Sequence, residues 1–310
     1  MASLFEFKDF RGGYIELAKA VAERGERVSP RGYPTHEIRN AVFTIADPRD
    51  AVPVGTGRNL PTKIVAAETL QFLSGWSDLV QVDAASNGNF MQFSDDGKTL
   101  AGAYGPRMFF QLYELIDKLM TDRDSRQAGL TIWTDDTVAI KTKDMPCTVS
   151  MFFDIRDERL NMTTFMRSSD IWLGIPIDVA VFTRIQGCVA WALDVEIGEY
   201  THHSRSLHVY DRDLGKIDSL ELVPAMPVPI PTDGLDHVGT TNQWPIVVGA
   251  ASAAARGTEV LCDGMRWFAD KLKDLPAGHQ MCPYCRRWVG SEPMDRVPQV
   301  GHHCYSVRSW

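Results

Sequence analysis

The sequence predicts an α+β protein of layered helices and strands. Three observations lead there. Helical and strand-like segments are mixed without regular βαβ alternation. Hydrophobic residues make up 44% and charged residues 23% of the 310, a balance that supports a substantial core. Residues 147–155 alternate, with Val149, Met151, Phe153 and Ile155 on one face, and a polar turn at Asp157-Glu158-Arg159 leads into a return strand over 160–167.

The other elements follow in order. Residues 14–24 (YIELAKAVAER) carry apolar side chains at helical spacing, and Gly25 is their stop. Glu68 lies on an apolar helix face. A helix over 107–121 lines up Phe109, Leu112, Ile116 and Leu119, and strands begin near 129. Pro176 opens a long apolar helix that Gly198 is expected to close. A proline-rich connector (224–234) and a helix near 258–273 precede a Cys/His-rich tail. The expected division is a catalytic domain over 1–275 and a small tail over 276–310.

Composition narrows the function. The formal net charge of −8 argues against a general nucleic-acid binder, whose affinity comes from neutralising phosphates. A few arginines focused in one pocket still suit a small anion. The N-terminus lacks the basic-then-apolar order of a signal peptide, and no apolar run approaches membrane length. The expectation is a cytoplasmic protein, in the host cytoplasm if the gene is carried by a phage. Three of the six cysteines crowd into the last 30 residues, which reads as metal ligation rather than a disulfide framework.

The most informative stretch runs from Met145 to Asp213. Pro146-Cys147 is followed by Arg167-Ser168-Ser169-Asp170, by Leu173-Gly174-Ile175-Pro176-Ile177-Asp178, and by His208-Val209-Tyr210. Upstream lie Glu68 in Glu-Thr-Leu-Gln-Phe-Leu-Ser-Gly, Tyr104-Gly105 and Asp124-Ser125-Arg126. In order and spacing this set resembles the thymidylate synthase family over roughly residues 14–215. The resemblance implies that family's layered fold with a large mixed β-sheet, a homodimer, and 5,10-methylenetetrahydrofolate as co-substrate.

The chemistry explains the residue types. A thiolate adding to C6 of a pyrimidine turns C5 into an enamine-like nucleophile able to attack a one-carbon electrophile. The resemblance assigns that thiolate to Cys147, with neighbouring arginines lowering its pKa. Glu68 becomes the proton relay, and Tyr104 lies near the proton lost from C5. The nucleotide phosphate falls to Arg167, Ser168, an N-terminal arginine (Arg31, with Arg27 as rival) and Arg126 from the partner subunit. His208 and Tyr210 take the sugar hydroxyl, and Asp170 the pterin. Arg58, in Gly-Thr-Gly-Arg, is a candidate for the folate tail.

Two departures distinguish this chain from the synthases. Where they carry an asparagine that reads uracil, this chain has Asp178. A carboxylate accepts from the cytosine N4 amino group and, when protonated, donates to N3; an ionised one facing uracil O4 sets two acceptors together. Asp178 therefore points to a cytosine nucleotide, as in the family's deoxycytidylate hydroxymethylases. Phe90 and Phe93 stand about where synthases have tryptophans that retain the folate for hydride transfer, which favours water as the final nucleophile. The leading expectation is a cytidylate 5-hydroxymethyltransferase serving modified DNA bases or nucleoside antibiotics. A uridylate-methylating or -hydroxymethylating enzyme is its rival, and a non-catalytic module acting through its tail is the alternative of another class.

That tail carries Cys282-Pro-Tyr-Cys285 and then His302-His303-Cys304. Cys282, Cys285, Cys304 and His303 would make a structural Cys₃His zinc site, with His302 and His279 competing for the fourth place.

Overall fold

The computed structural model describes residues 3–223, except 50, 54, 59, 61, 76 and 136, together with 280–281 and 288–289. Its centre is a mixed sheet. The strands are β1 (Ser3–Phe7), β2 (Glu26–Val28), β3 (Thr35–Ile45), β4 (Gly129–Thr131), β5 (Thr148–Arg156), β6 (Arg159–Met166), β7 (Ser169–Asp170) and β8 (Glu196–Tyr210). Their order is β1-β3-β8-β6-β5-β4, with β2 on β3 and β7 on β8. β1 runs parallel to β3 and β6 parallel to β8, while β3–β8, β5–β6 and β4–β5 are antiparallel. The helices are α1 (Phe10–Arg24), α2 (Thr62–Ser74), α3 (Val80–Ala85), α4 (Gly105–Thr121), α5 (Ile175–Ala192) and α6 (Leu214–Ile217).

Local chemistry accounts for these elements. Asp9 caps α1, its Oδ1 accepting from Gly12 N at 3.1 Å, and Phe10, Tyr14, Leu17 and Val21 are all fully buried at helical spacing. The β5–β6 hairpin turns at Asp157 and Glu158, which take φ of 51° and 56°, the mirror-image turn that matches strand twist. Met151, Phe153 and Ile155 face the core as the alternation required.

The helix begun at Pro176 does not run to Gly198. It ends at Ala192, and Asp194 at φ 53° reverses the chain so that Gly198 lies within β8. A glycine is needed there because a Cβ would collide with Asn161 Oδ1. The buried Gln186 amide nitrogen then staples α5 to the sheet, donating to Leu160 O at 2.9 Å and Glu199 O at 3.0 Å. By length and composition α5 passes for a membrane-spanning segment, but 72% of it is buried as a core helix. β1 to β3 went unread in the sequence; β2 has only three residues, whereas β3, with eleven, is among the longest strands of the sheet.

The connector, the helix expected near 258–273 and all four candidate zinc ligands lie outside the described residues. A short antiparallel pair, β9 (Gln280–Met281) and β10 (Trp288–Val289), flanks the Cys-Pro-Tyr-Cys sequence.

Candidate active site

Cys147 sits immediately before β5 on a firmly anchored loop. Arg167, at the end of β6, donates from its backbone N–H to Cys147 O at 2.9 Å, from Nε to Pro146 O at 2.9 Å and from Nη2 to Met145 O at 2.9 Å. Trp133 Nε1 also donates to Pro146 O, and Thr148 N donates to the Tyr104 hydroxyl at 3.0 Å. The nucleophile expected from the sequence is thus held from both sides.

Electrostatic coupling identifies its neighbours. The Cys147 thiol pKa is raised by burial, opposed by Arg167 and Arg31, and raised further by Asp178 and Asp144. The arginines act on the thiol in the expected direction, but loss of hydration outweighs the guanidinium charges. Arg31 lies in the left-handed region at φ 55° and is exposed, whereas its rival Arg27 pairs with Asp211 at 2.7 Å. Of the two, Arg31 is the arginine whose charge reaches the thiol.

Three carboxyls share this neighbourhood. Glu68, in α2, is pushed up to about 8 by burial, then by Asp178 and Asp144. Asp178, in the first turn of α5, is pushed up to about 7 by burial and then by Asp170. Both keep part of their surface open. Gly174 leaves room there, since its Cβ would lie 3.2 Å from Asp178 Oδ2. Tyr104 is held neutral by burial, then by Cys147 and Asp178, and its ring packs 4.7 Å from Phe72.

The remaining expected residues lie on several elements. Asp170 Oδ1 accepts from Trp172 N at 2.8 Å and Leu173 N at 3.0 Å, and the Asp170 pKa is raised chiefly by burial. β7 pairs Asp170 with His208, whose ring stands edge-on to Tyr210 at 5.3 Å. Ser168 is half-buried between β6 and β7. Arg58 Nε donates to Trp172 O at 3.1 Å, and Arg58 and Lys216 approach the Trp172 ring at 4.9 and 5.4 Å. Phe90 packs against the core, edge-on at 6.0 Å to the exposed Phe93. Arg126 stands apart, exposed in an open depression with Asp122, Asp124, Ser125 and Gln127.

Sequence reasoning missed two features. Asp144 lies three residues before Cys147, and its only signal was an acidic residue in Lys-Asp-Met-Pro-Cys. Behind the site, Ser169 Oγ, the His202 ring and the Tyr200 hydroxyl form a buried chain with distances of 3.1 and 2.8 Å. His202 stacks on Phe43 at 4.7 Å, and burial drops its pKa to about 3, so it is neutral. Among the described residues no group of three or more His, Cys, Asp or Glu side chains is placed to hold a metal.

Known proteins are similar to this chain. The family model for thymidylate synthase matches residues 12–233. The deoxyuridylate hydroxymethyltransferase of Pseudomonas phage M6 is 36% identical over 236 residues, covering 73% of this chain and 64% of that protein. The enzyme of the same description from Bacillus phage SP01 is 32% identical over 220 residues, 65% of this chain and 57% of its own. A third, from Delftia phage PhiW-14, is 32% identical over 187 residues, 56% and 52%. The chain thus spans between about half and just under two thirds of these relatives' lengths. Their descriptions name deoxyuridylate, not the deoxycytidylate subgroup that Asp178 suggested. With the family model covering most of the chain, and Cys147, Glu68, Tyr104 and Asp178 within electrostatic reach of one another, the chain belongs to the thymidylate synthase family.

Proposed function

We propose that this chain is a pyrimidine nucleoside monophosphate 5-hydroxymethyltransferase that takes a cytidylate, dCMP or CMP. The observation that carries the reading is Asp178, a carboxyl with a pKa of about 7 in the electrostatic neighbourhood of Cys147. At neutral pH such a group can carry a proton. It then accepts from cytosine N4–H and donates to N3, and because N3 is itself basic the proton is shared between two matched sites. In this reading the phosphate is held by Arg31, Arg167, Ser168 and the partner's copy of Arg126. His208 and Tyr210 bind the sugar.

Cys147 adds to C6, Tyr104 lies at the C5 proton, and Glu68, neutral below its pKa of about 8, relays protons at the exocyclic group. 5,10-Methylenetetrahydrofolate supplies the one-carbon electrophile. The Trp172 face flanked by Arg58 and Lys216 suits an aromatic acid of that kind, with Asp170 and Phe90 beside it. Without an indole at Phe90 or Phe93, water rather than hydride completes the product.

A second reading, deoxyuridylate, has its own support. The relatives are described as deoxyuridylate enzymes, and a protonated Asp178 can also donate to uracil O4 while accepting from N3–H. Tritium release from C5-labelled dCMP and dUMP, with chromatography of the products, decides between them. Release from dCMP with formation of hydroxymethyl-dCMP supports the first reading, and release from dUMP alone overturns it. Release from neither would favour the non-catalytic alternative, against which the assembly of Cys147, Glu68 and Asp178 stands. The Cys282, Cys285, His303 and Cys304 zinc site is proposed as structural, on a strand pair that flanks its first two cysteines.

A further inference from the structure

We propose that Asp144 is a further catalytic residue, the general base that takes the proton from the water completing the hydroxymethyl group. The inference rests on the hydroxymethyltransferase reading above. Asp144 precedes Cys147 by three residues and shares its electrostatic neighbourhood, since its charge acts on both the thiol and the Glu68 carboxyl. A carboxylate here works against the thiolate, so its position calls for another task.

The local geometry holds it firmly. Oδ2 accepts from Gly102 N at 2.7 Å, and any Cβ on Gly102 would collide with Asp144 O, so a glycine is required for the approach. The segment is tied to the loop carrying Phe90 and Phe93: Thr142 Oγ1 donates to Asp95 Oδ2 at 2.5 Å and Lys143 N to Asp95 Oδ1 at 3.2 Å. Asp144 is half-buried, so its other oxygen is open to a water.

The two carboxyls are divided by environment. Glu68 has its neutral form favoured by burial and by two neighbouring acids. Asp144 is also raised, by burial and by the Asp95 charge, but it has the Gly102 N–H and the Arg107 charge favouring its ionised form, partners that Glu68 lacks. That difference in surroundings suits Glu68 to the acid's part and Asp144 to the base's. The step balances as follows. A water lone pair forms the C–O bond to the exocyclic methylene on C5, and the displaced π pair moves into the ring. The water proton passes to Asp144. The ring electrons then restore C5=C6 and expel the Cys147 thiolate from C6.

Asp144→Asn tests this, because its side-chain oxygen still accepts from Gly102 N–H. With enzyme in excess over C5-tritiated nucleotide, the variant should release tritium within about threefold of wild type. Hydroxymethyl product should fall about a hundredfold or more, the usual weight of a general base. Added 2-mercaptoethanol should then trap the methylene as a 5-thioether nucleotide, and Asp144→Glu should restore part of the hydroxymethyl product. Hydroxymethyl product forming as fast as tritium release in Asp144→Asn overturns the proposal. So does an equal fall in both, which would mark a purely structural anchor. If wild type itself makes a methyl product or none, the hydroxymethyltransferase reading falls as well; if wild type hydroxymethylates and Asp144→Asn does so equally, only the assignment of Asp144 falls.

Discussion

Arg167 grips the segment ending in Cys147 with its backbone N–H, Nε and Nη2, each about 2.9 Å from a carbonyl oxygen of Cys147, Pro146 or Met145. A guanidinium has five N–H donors, so two fix the loop and three are left for the phosphate contact proposed for Arg167. One arginine thus sets the position of the thiol and places positive charge beside it, the second cause acting on the thiol pKa after burial.

Base choice is tested at Asp178. Asp178→Asn keeps size but gives an amide that accepts from uracil N3–H and donates to O4 without needing a proton. Wild type is expected to prefer a cytosine monophosphate. The variant should move preference toward uracil by about one to two orders of magnitude, since an unpaired buried polar group costs roughly 1 to 3 kcal/mol. Competition assays of dCMP against dUMP measure it. Equal use of the two by wild type would remove Asp178 as the base reader.

Glu68 makes stability depend on pH. Its folded pKa of about 8 lies above the ordinary carboxyl value of 4.5, so the folded state holds the proton more tightly. Stability from this group is therefore full below about 4.5 and is lost as pH rises toward 8. The upper limit is about 5 kcal/mol at 1.36 kcal/mol per unit, reduced by the solvent that reaches a half-open carboxyl. Urea unfolding at pH 5.5 and 8 should show this fall in wild type and a smaller one in Glu68→Gln. Identical pH slopes in the two proteins would contradict it.

A shared site has its own signature. Arg126→Ala and Cys147→Ser should each lose nearly all turnover, while Cys147→Ser still binds nucleotide. Mixing the two after subunit exchange should restore up to about a quarter of wild-type activity, because one site of each heterodimer carries both native residues. Well-exchanged mixtures that stay inactive would place Arg126 outside the partner's site.

The tail can be assayed directly. Purified protein should hold about one zinc per chain by metal analysis, and the double substitution Cys282→Ser, Cys285→Ser should lose it. Zinc-free wild type of unchanged stability would leave these cysteines without a metal role.

Much of this protein was written in local sequence. The hairpin over 148–166 follows from period-two alternation around a turn, and α1 and α4 from apolar spacing, because these patterns are set by neighbours in the chain. Motif order singled out Cys147, Glu68, Arg167 and Asp178, since chemistry needs particular side chains whatever surrounds them. What the sequence left open was decided by contacts between distant segments. The end of α5 came from the Asp194 reversal and the Gln186 staple onto β8 rather than from Gly198. The pairing of Arg27 with Asp211, and the reach of the Arg31 charge to Cys147, came from segments far apart in the chain. The protonation of Cys147, Glu68 and Asp178, and the presence of Asp144 beside them, depend on how much water the fold removes and which charges it brings together. Desolvation and Coulomb energy are properties of three-dimensional neighbourhoods, and no spacing along the chain encodes them.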